Sequence, residues 1–294
     1  MSMSEKRIGW IGTGVMGHSM CKHLIDSGCS VSVFNRSPEK VKPLTDLGAT
    51  FCDSPAEVAA NSDIVFSIVG FPHDVEEVIL GENGVINNAK AGTIIVDMTT
   101  STPTLAKKIS EKAAAQNMQA LDAPVSGGDL GAREGTLAIM VGGEKTAFES
   151  VMPYFEAMGK NIQLMGPAGA GQHCKMANQV LIAGTMIGTV ESLLYAAKTG
   201  MDLDQVIDVI GSGAAGSWSI NNLGRRIAKG DFDPGFFIKH FVKDMGIALE
   251  EAGRMNLSLP GLAMANQFYV AAKAQGLEDL GTQGLYKVFE SMNA

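Results

Sequence analysis

An apolar run, Ile8-Gly-Trp-Ile11, leads directly into Gly12-Thr-Gly-Val-Met-Gly17, and a helical stretch follows. A G-x-G-x-x-G in that position restricts the chain to a strand, a tight turn and a helix that opens on the last glycine. Gly12 makes the turn, Gly14 lets backbone approach a pyrophosphate, and Gly17 allows close helix–strand packing. The helix then directs its first N–H groups and its positive dipole end at the phosphates. Thirty-five glycines make the pattern alone weak, and its place between strand and helix gives it meaning. Gly12, Thr13, Gly14, Val15, Met16 and Gly17 form a candidate dinucleotide loop.

Short apolar runs recur at Val31–Phe34, Ile64–Val69, Thr93–Val96 and Leu137–Val141. Helical patterns lie between them, at Val15–Ser27, Pro38–Leu47 and Pro103–Asn117. That alternation predicts βαβ units in an α/β, Rossmann-type, doubly wound parallel sheet covered on both faces. Thr100, Asp97 and Asp122 fall at or after strand ends, the edge at which such sheets bind ligands. Gly166-Pro-Ala-Gly-Ala-Gly171 interrupts the alternation, and only two glycines and no proline follow before Thr199. One long helix is expected there, then helices at Leu203–Ile210, Phe237–Ala252 and Leu262–Gln275. The chain divides on this reading into a dinucleotide-binding domain, 1–165, and an all-α domain, 166–294.

A formal net charge of −8, with no basic run, leaves out the phosphate attraction that nucleic-acid binding needs. No stretch of about 18 apolar residues runs without polar interruption, so no membrane span is expected. The N-terminus shows no apolar segment with a cleavage site, and a cytoplasmic protein is expected. Cys21, Cys29, Cys52 and Cys174 form no C-x-x-C pair and no metal set.

The second strand ends Val33-Phe34-Asn35-Arg36-Ser37, where an NAD site would place a carboxylate for the ribose hydroxyls. A guanidinium pairs with a 2′-phosphate and a carboxylate repels one, so Asn35, Arg36 and Ser37 favour NADP, with NAD as the alternative. Further on, Ser126-Gly127-Gly128 supplies a hydroxyl and two unshielded N–H groups on which a small carboxylate can dock. Gly171, Lys175, Asn178 and Gln179 share one face of the long helix, where Gly171 is expected to leave room for a ligand.

Taken together, these segments resemble the β-hydroxyacid dehydrogenase family, which includes 3-hydroxyisobutyrate dehydrogenase, tartronate semialdehyde reductase and the glyoxylate/succinic semialdehyde reductases. The resemblance rests on Gly9-Trp-Ile-Gly-Thr-Gly-Val-Met-Gly17, Asp122-Ala-Pro-Val-Ser-Gly-Gly128 with Gly135-Thr-Leu137, the stretch from Gly171 to Gln179, and Lys243-Asp244 after Phe236. It implies that Lys175 is catalytic, that Asn178 helps hold substrate, and that Ser126, Gly127 and Gly128 bind its carboxylate. It also implies that Thr100, Phe236, Lys243 and the loop at Val69-Gly70 line the cofactor site. The family commonly carries Leu where Thr13 stands and Pro where Gly70 stands. The second departure leaves the loop beside the cofactor less rigid.

The expected activity is hydride transfer between NADPH and small carboxylate-bearing aldehydes, with Lys175 as general acid/base. Near neutral pH a desolvated site has to make that lysine less basic. The alternatives are an NAD-dependent 3-hydroxyisobutyrate-type dehydrogenase and a non-catalytic NADP-binding scaffold. Leu181, Ile182, Met186, Ile187, Leu193 and Leu194 make the long helix apolar on several faces, which predicts a homodimer or homotetramer.

Overall fold

A computed structural model describes residues 5–294. By its own contacts the chain divides into a first unit that ends at Lys175 and a second that begins at Met176.

In the first unit the described strands are β1 Arg7–Ile11, β2 Ser30–Phe34, β3 Thr50–Phe51, β4 Ile64–Ser67, β5 Ile94–Asp97, β6 Gln119–Asp122, β7 Val125–Ser126, β8 Leu137–Gly142 and β9 Gly159–Gly166. They form one sheet in the order β3-β2-β1-β4-β5-β6-β8-β7, with β9 beside β8. From β3 to β6 every pairing is parallel, and β8 then runs antiparallel to β6 and β7. The strand order reverses between β1 and β4, so the crevice for a ligand opens beyond the end of β1.

Alternate β1 residues face opposite sides of the sheet. Ile8 and Trp10 enter one core with Phe66 and Phe155, and Ile11 enters the other with Val65 and Ile95. Trp10 stacks on Phe66, ring centroids 5.7 Å apart. Burial of a side chain such as Phe66 contributes roughly 1.5–3 kcal/mol.

The helices that begin in this unit are α1 Val15–Asp26, α2 Lys42–Thr45, α3 Pro55–Ala60, α4 Pro72–Leu80, α5 Val85–Asn88, α6 Pro103–Ala114, α7 Gly128–Glu134, α8 Lys145–Met158 and α9 Ala170–Lys198, the last continuing into the second unit. The helix expected over Pro38–Leu47 is instead a 3₁₀ turn, Pro38–Lys40, and then the short α2. Pro43 lacks an N–H and would clash inside a continuous helix, but fits the first turn of a new one.

The second unit contains α10 Leu203–Gly211, α11 Arg225–Ala228, α12 Ile238–Arg254, α13 Pro260–Ala274 and α14 Leu285–Met292, with a π-helical segment at Ser219–Gly224. Its core gathers Ala183, Met186, Val190 and Leu193 of α9 with Phe241, Met245 and Tyr269. Among the described residues it has no strand, only a bridge between Phe237 and Gly281. Among the described residues, α9 alone is long and apolar enough to cross a membrane by length and composition. Thr185, Thr189, Glu191 and Ser192 interrupt its apolar sequence, and much of its apolar surface lies in this core.

Candidate active site

The end of β1 turns sharply at Gly12, whose φ of +98° suits glycine. A Cβ there would strike the carbonyl oxygen of Ile68, and one on Gly17 would strike that of Gly12. Around Gly14, by contrast, a Cβ would meet nothing within 4 Å. Gly14 caps α1 without a side chain, and the first turn holds no acidic residue. The opening N–H groups of α1 therefore face open space with no competing acceptor from a cap, which suits a pyrophosphate. Beside them the buried Thr13 hydroxyl makes no hydrogen bond. The loop fits a dinucleotide.

Asn35 braces this loop. Its Oδ1 accepts from the Thr13 N–H at 3.0 Å, and its Nδ2 donates to the Ser37 carbonyl at 3.0 Å. Arg36 is largely exposed, but Nη1 lies 2.8 Å from Oδ1 of the buried Asp74. That acid also accepts the Phe71 N–H at 3.0 Å and caps α4. Asp74 was not among the expected site residues, because its pairing with Arg36 spans two loops. The Val69-Gly70 loop is tied down by the Val69 N–H, which donates to Thr99 Oγ1 at 2.9 Å.

The first turns of α9 are bolted to the C-terminal edge of the sheet. Asp122 ends β6 and accepts the N–H of Gly169 at 2.7 Å and of Gln172 at 2.9 Å. The Gln172 side chain accepts the Ser101 N–H and donates to the Thr99 carbonyl, at 3.0 and 2.8 Å. Thr100 is thereby held between two anchored neighbours. Lys175 follows one turn later, 7% exposed, and its Nζ donates to the Val125 carbonyl at 2.8 Å. Val125 immediately precedes Ser126-Gly127-Gly128, and Gly127 takes a φ of +135° that favours glycine. The first unit thus brings Lys175, Thr100 and the Ser126–Gly128 turn together at the ligand edge. These bonds also explain why it keeps the start of α9, ten residues beyond the expected boundary.

Gly171 departs from expectation. A Cβ there would strike the carbonyl oxygen of Met140 and crowd that of Asp122. Its missing side chain lets α9 rest on β6 and β8, and makes no room for a ligand.

Two buried carboxyls underlie this region. Burial pushes Asp97 up to about 6, against hydrogen bonds from Thr99 and Ser67. Burial likewise raises Asp122, opposed by the N–H groups of Gly169 and Gln172. Neither Gln172 nor the anchoring role of Asp122 was expected. A polar residue ending a buried strand is the signal that marks such an anchor.

In the second unit, Phe236 stacks near His240 and meets Phe241 edge-on. Lys243, 12% exposed, reaches Asp244 Oδ1 at 3.1 Å. Gln179 Nε2 donates to Asp244 Oδ2 at 2.6 Å, and Asn178 Nδ2 donates to Gln179 Oε1 at 2.7 Å. This unit therefore connects Asn178 and Lys243 through two buried residues. No cluster of metal-binding side chains occurs among the described residues.

Known proteins match both halves. The NAD binding domain of 6-phosphogluconate dehydrogenase matches residues 7–166. The NAD-binding domain of NADP-dependent 3-hydroxyisobutyrate dehydrogenase matches residues 169–289. A probable 3-hydroxyisobutyrate dehydrogenase-like 1, mitochondrial, of Arabidopsis thaliana is 52% identical across 99% of this chain and 87% of its own. The 2-hydroxy-3-oxopropionate reductase of Escherichia coli (strain K12) is 39% identical across 97% of this chain and 98% of its own. The crystal structure of 3-hydroxyisobutyrate dehydrogenase from Salmonella typhimurium superposes with a TM-score of 0.88 at 27% identity, covering 96% of this chain and 99% of the other.

A dinucleotide loop on a doubly wound sheet, a buried lysine at its ligand edge and these relatives define an NAD(P)-dependent oxidoreductase acting on CH–OH groups. The chain belongs to the β-hydroxyacid dehydrogenase family.

Proposed function

We propose that this enzyme uses NADP to interconvert small carboxylate-bearing aldehydes and their hydroxy acids. Glyoxylate, succinic semialdehyde and tartronate semialdehyde are substrates of the expected type. The observation that carries the reading is the hydrogen bond from Lys175 Nζ to Val125, which sets an amine against the turn at Ser126. A bound nicotinamide supplies or accepts hydride at C4. The Ser126 hydroxyl and the Gly127 and Gly128 N–H groups take the substrate carboxylate, and Asn178 adds an amide contact. Lys175 donates a proton to the carbonyl oxygen in reduction and removes the hydroxyl proton in oxidation. With the carboxylate fixed, the neighbouring carbonyl stays in reach of that amine.

Arg36 supports NADP by offering a guanidinium where an NAD site offers a carboxylate. The ion pair with Asp74 favours the second reading, an NAD-dependent 3-hydroxyisobutyrate-type dehydrogenase, because it partly neutralises that guanidinium. A panel of small semialdehydes, followed by nicotinamide absorbance with NADPH and with NADH, tests both readings. Arg36→Ala is expected to cost about 1.5–3 kcal/mol in kcat/KM for NADPH, the size of a hydrogen bond to a charged group, and little for NADH. Equal losses would remove Arg36 from cofactor choice, and a parent enzyme inert toward the whole panel would defeat the substrate class.

A homodimer or homotetramer belongs to the same proposal. Met186, Ile187 and Leu193, three of the residues expected on its surface, are enclosed in the core of their own unit. Leu181, also among the expected residues, lies on a stripe of α9 that stays exposed: Ala177, Leu181, Gly184, Gly188, Glu191 and Tyr195, at spacings of four and three. Leu181 is 69% and Tyr195 72% exposed, and nothing lies within 4 Å of where a Cβ on either glycine would sit. A flat stripe that is mostly small or apolar, interrupted by Glu191, suits the same helix of a second copy. Sedimentation at low micromolar concentration is expected to show a dimer or larger, and Leu181→Glu to shift it toward monomer. A parent sedimenting only as monomer would refute this.

A further inference from the structure

We propose that Lys243, Asp244 and Gln179 form a polarity relay that sets which way the Asn178 carboxamide faces, making Gln179 and Asp244 positioning residues. The proposal rests on the substrate-holding role given to Asn178 above.

The relay follows from donor and acceptor inventories. An ammonium offers only hydrogens and a carboxylate only lone pairs, whereas a primary amide offers both and can turn over. Lys243 Nζ forms an ion pair with Oδ1 of Asp244 at 3.1 Å, and Gln179 meets Oδ2. Facing a group that can only accept, Gln179 must turn its Nε2 toward Asp244, and the bond is 2.6 Å. Its Oε1 then faces the other way and can only accept, so Asn178 must turn its Nδ2 toward it, at 2.7 Å. Gln179 and Asp244 are each 1% exposed, so water is not at hand to satisfy a reversed amide. One N–H and the carbonyl oxygen of Asn178 are thereby assigned to the edges that do not face Gln179. Asn178 follows Lys175 by three residues in the sequence.

Asp244→Asn should reverse the relay rather than merely weaken it. The Lys243 ammonium lies beside this position, attracts the new amide oxygen and repels the new NH2, so the NH2 is left facing Gln179. Gln179 then turns over, and Asn178 turns with it. Adding Gln179→Glu restores the original sense, because a carboxylate at 179 accepts from both Asn178 and the amide at 244.

Two measurements test this. In the first, kcat and KM for the semialdehyde panel are measured for D244N and for the D244N/Q179E pair. Both are made in the parent and in an N178A background, and NADPH binding is followed by fluorescence. D244N is expected to lower kcat/KM about tenfold or more, mainly through KM, with recovery to within about threefold in the pair. In the N178A background D244N is expected to change kcat/KM less than about twofold, since residues acting through one group are not additive. An equal loss in both backgrounds, or no recovery in the pair, would overturn the relay. So would an N178A variant as active as the parent, which would also end the substrate-holding role of Asn178. The second measurement needs no substrate: neutron diffraction from crystals of the deuterated enzyme. Deuterons are expected on Gln179 Nε2 toward Asp244 and on Asn178 Nδ2 toward Gln179. The opposite assignment would overturn the relay even if the panel supported the proposed activity. The expected assignment would uphold it even if the panel failed.

Discussion

Lys175→Ala is expected to turn over substrate about 10²- to 10⁴-fold more slowly than the parent, the usual loss when a general acid is removed. NADPH binding should stay close to the parent value, because the glycine loop and its brace at Asn35 involve no atom of Lys175. The lost bond to Val125 is a neutral-acceptor contact on a helix whose first turn is separately held by Asp122 and Gln172, so the melting temperature should fall little. Lys175→Arg sharpens the test. It keeps a positive charge but surrenders no proton, so it should restore little of the rate in either direction. A Lys175→Ala enzyme with parental kcat would remove this lysine from the chemistry.

The methyl ester of a good acid substrate is expected to react with kcat/KM lowered by roughly two orders of magnitude, since charge-assisted hydrogen bonds contribute a few kcal/mol together. Esterification removes the charge and leaves the aldehyde untouched, so the loss reports on the turn at Ser126 and not on hydride transfer. Ser126→Ala should lose activity with the acid and change little with the ester. Equal rates for acid and ester would refute carboxylate recognition at Ser126–Gly128 and leave the dehydrogenase assignment standing.

The loop from Ile8 to Gly17 and the span of α9 are legible in the sequence, because each is written in neighbouring residues. The strand alternates between two cores, the glycines sit at fixed spacing, and α9 lacks proline throughout. The antiparallel direction of the edge is not legible there: the run Leu137–Val141 marks β8 as a strand but not its direction, and its antiparallel partner β7 is only two residues long. Asn35 was expected to contact the cofactor, yet its amide holds the glycine loop from 22 residues away. Gly171 offers the same letter for two purposes, room for a ligand or room for backbone, and only the position of Met140 decides between them. The missed groups share one cause. The pairing of Asp74 with Arg36 and the bonds of Gln172 to Thr99 and Ser101 reach partners distant in sequence, which nothing in their own neighbourhood names.

Asp97 gives the fold a proton balance of its own. Its ordinary value is 3.8 and burial raises it to about 6, so between those values the folded chain keeps a proton that the unfolded chain gives up. A group raised in this way adds stability that is complete below about 3.8 and lost as pH rises through about 6. Folding in that window takes up a proton at Asp97. At neutral pH the same residue is a charge enclosed in the sheet, supported by the Ser67 hydroxyl and the Thr99 N–H. Thr99 joins the charge to the segment that also holds Gln172 and the start of α9. The contribution of Asp97 to folding stability is therefore larger in mild acid than at neutrality, and the ordering of the residues around Lys175 is maintained at neutral pH against that cost.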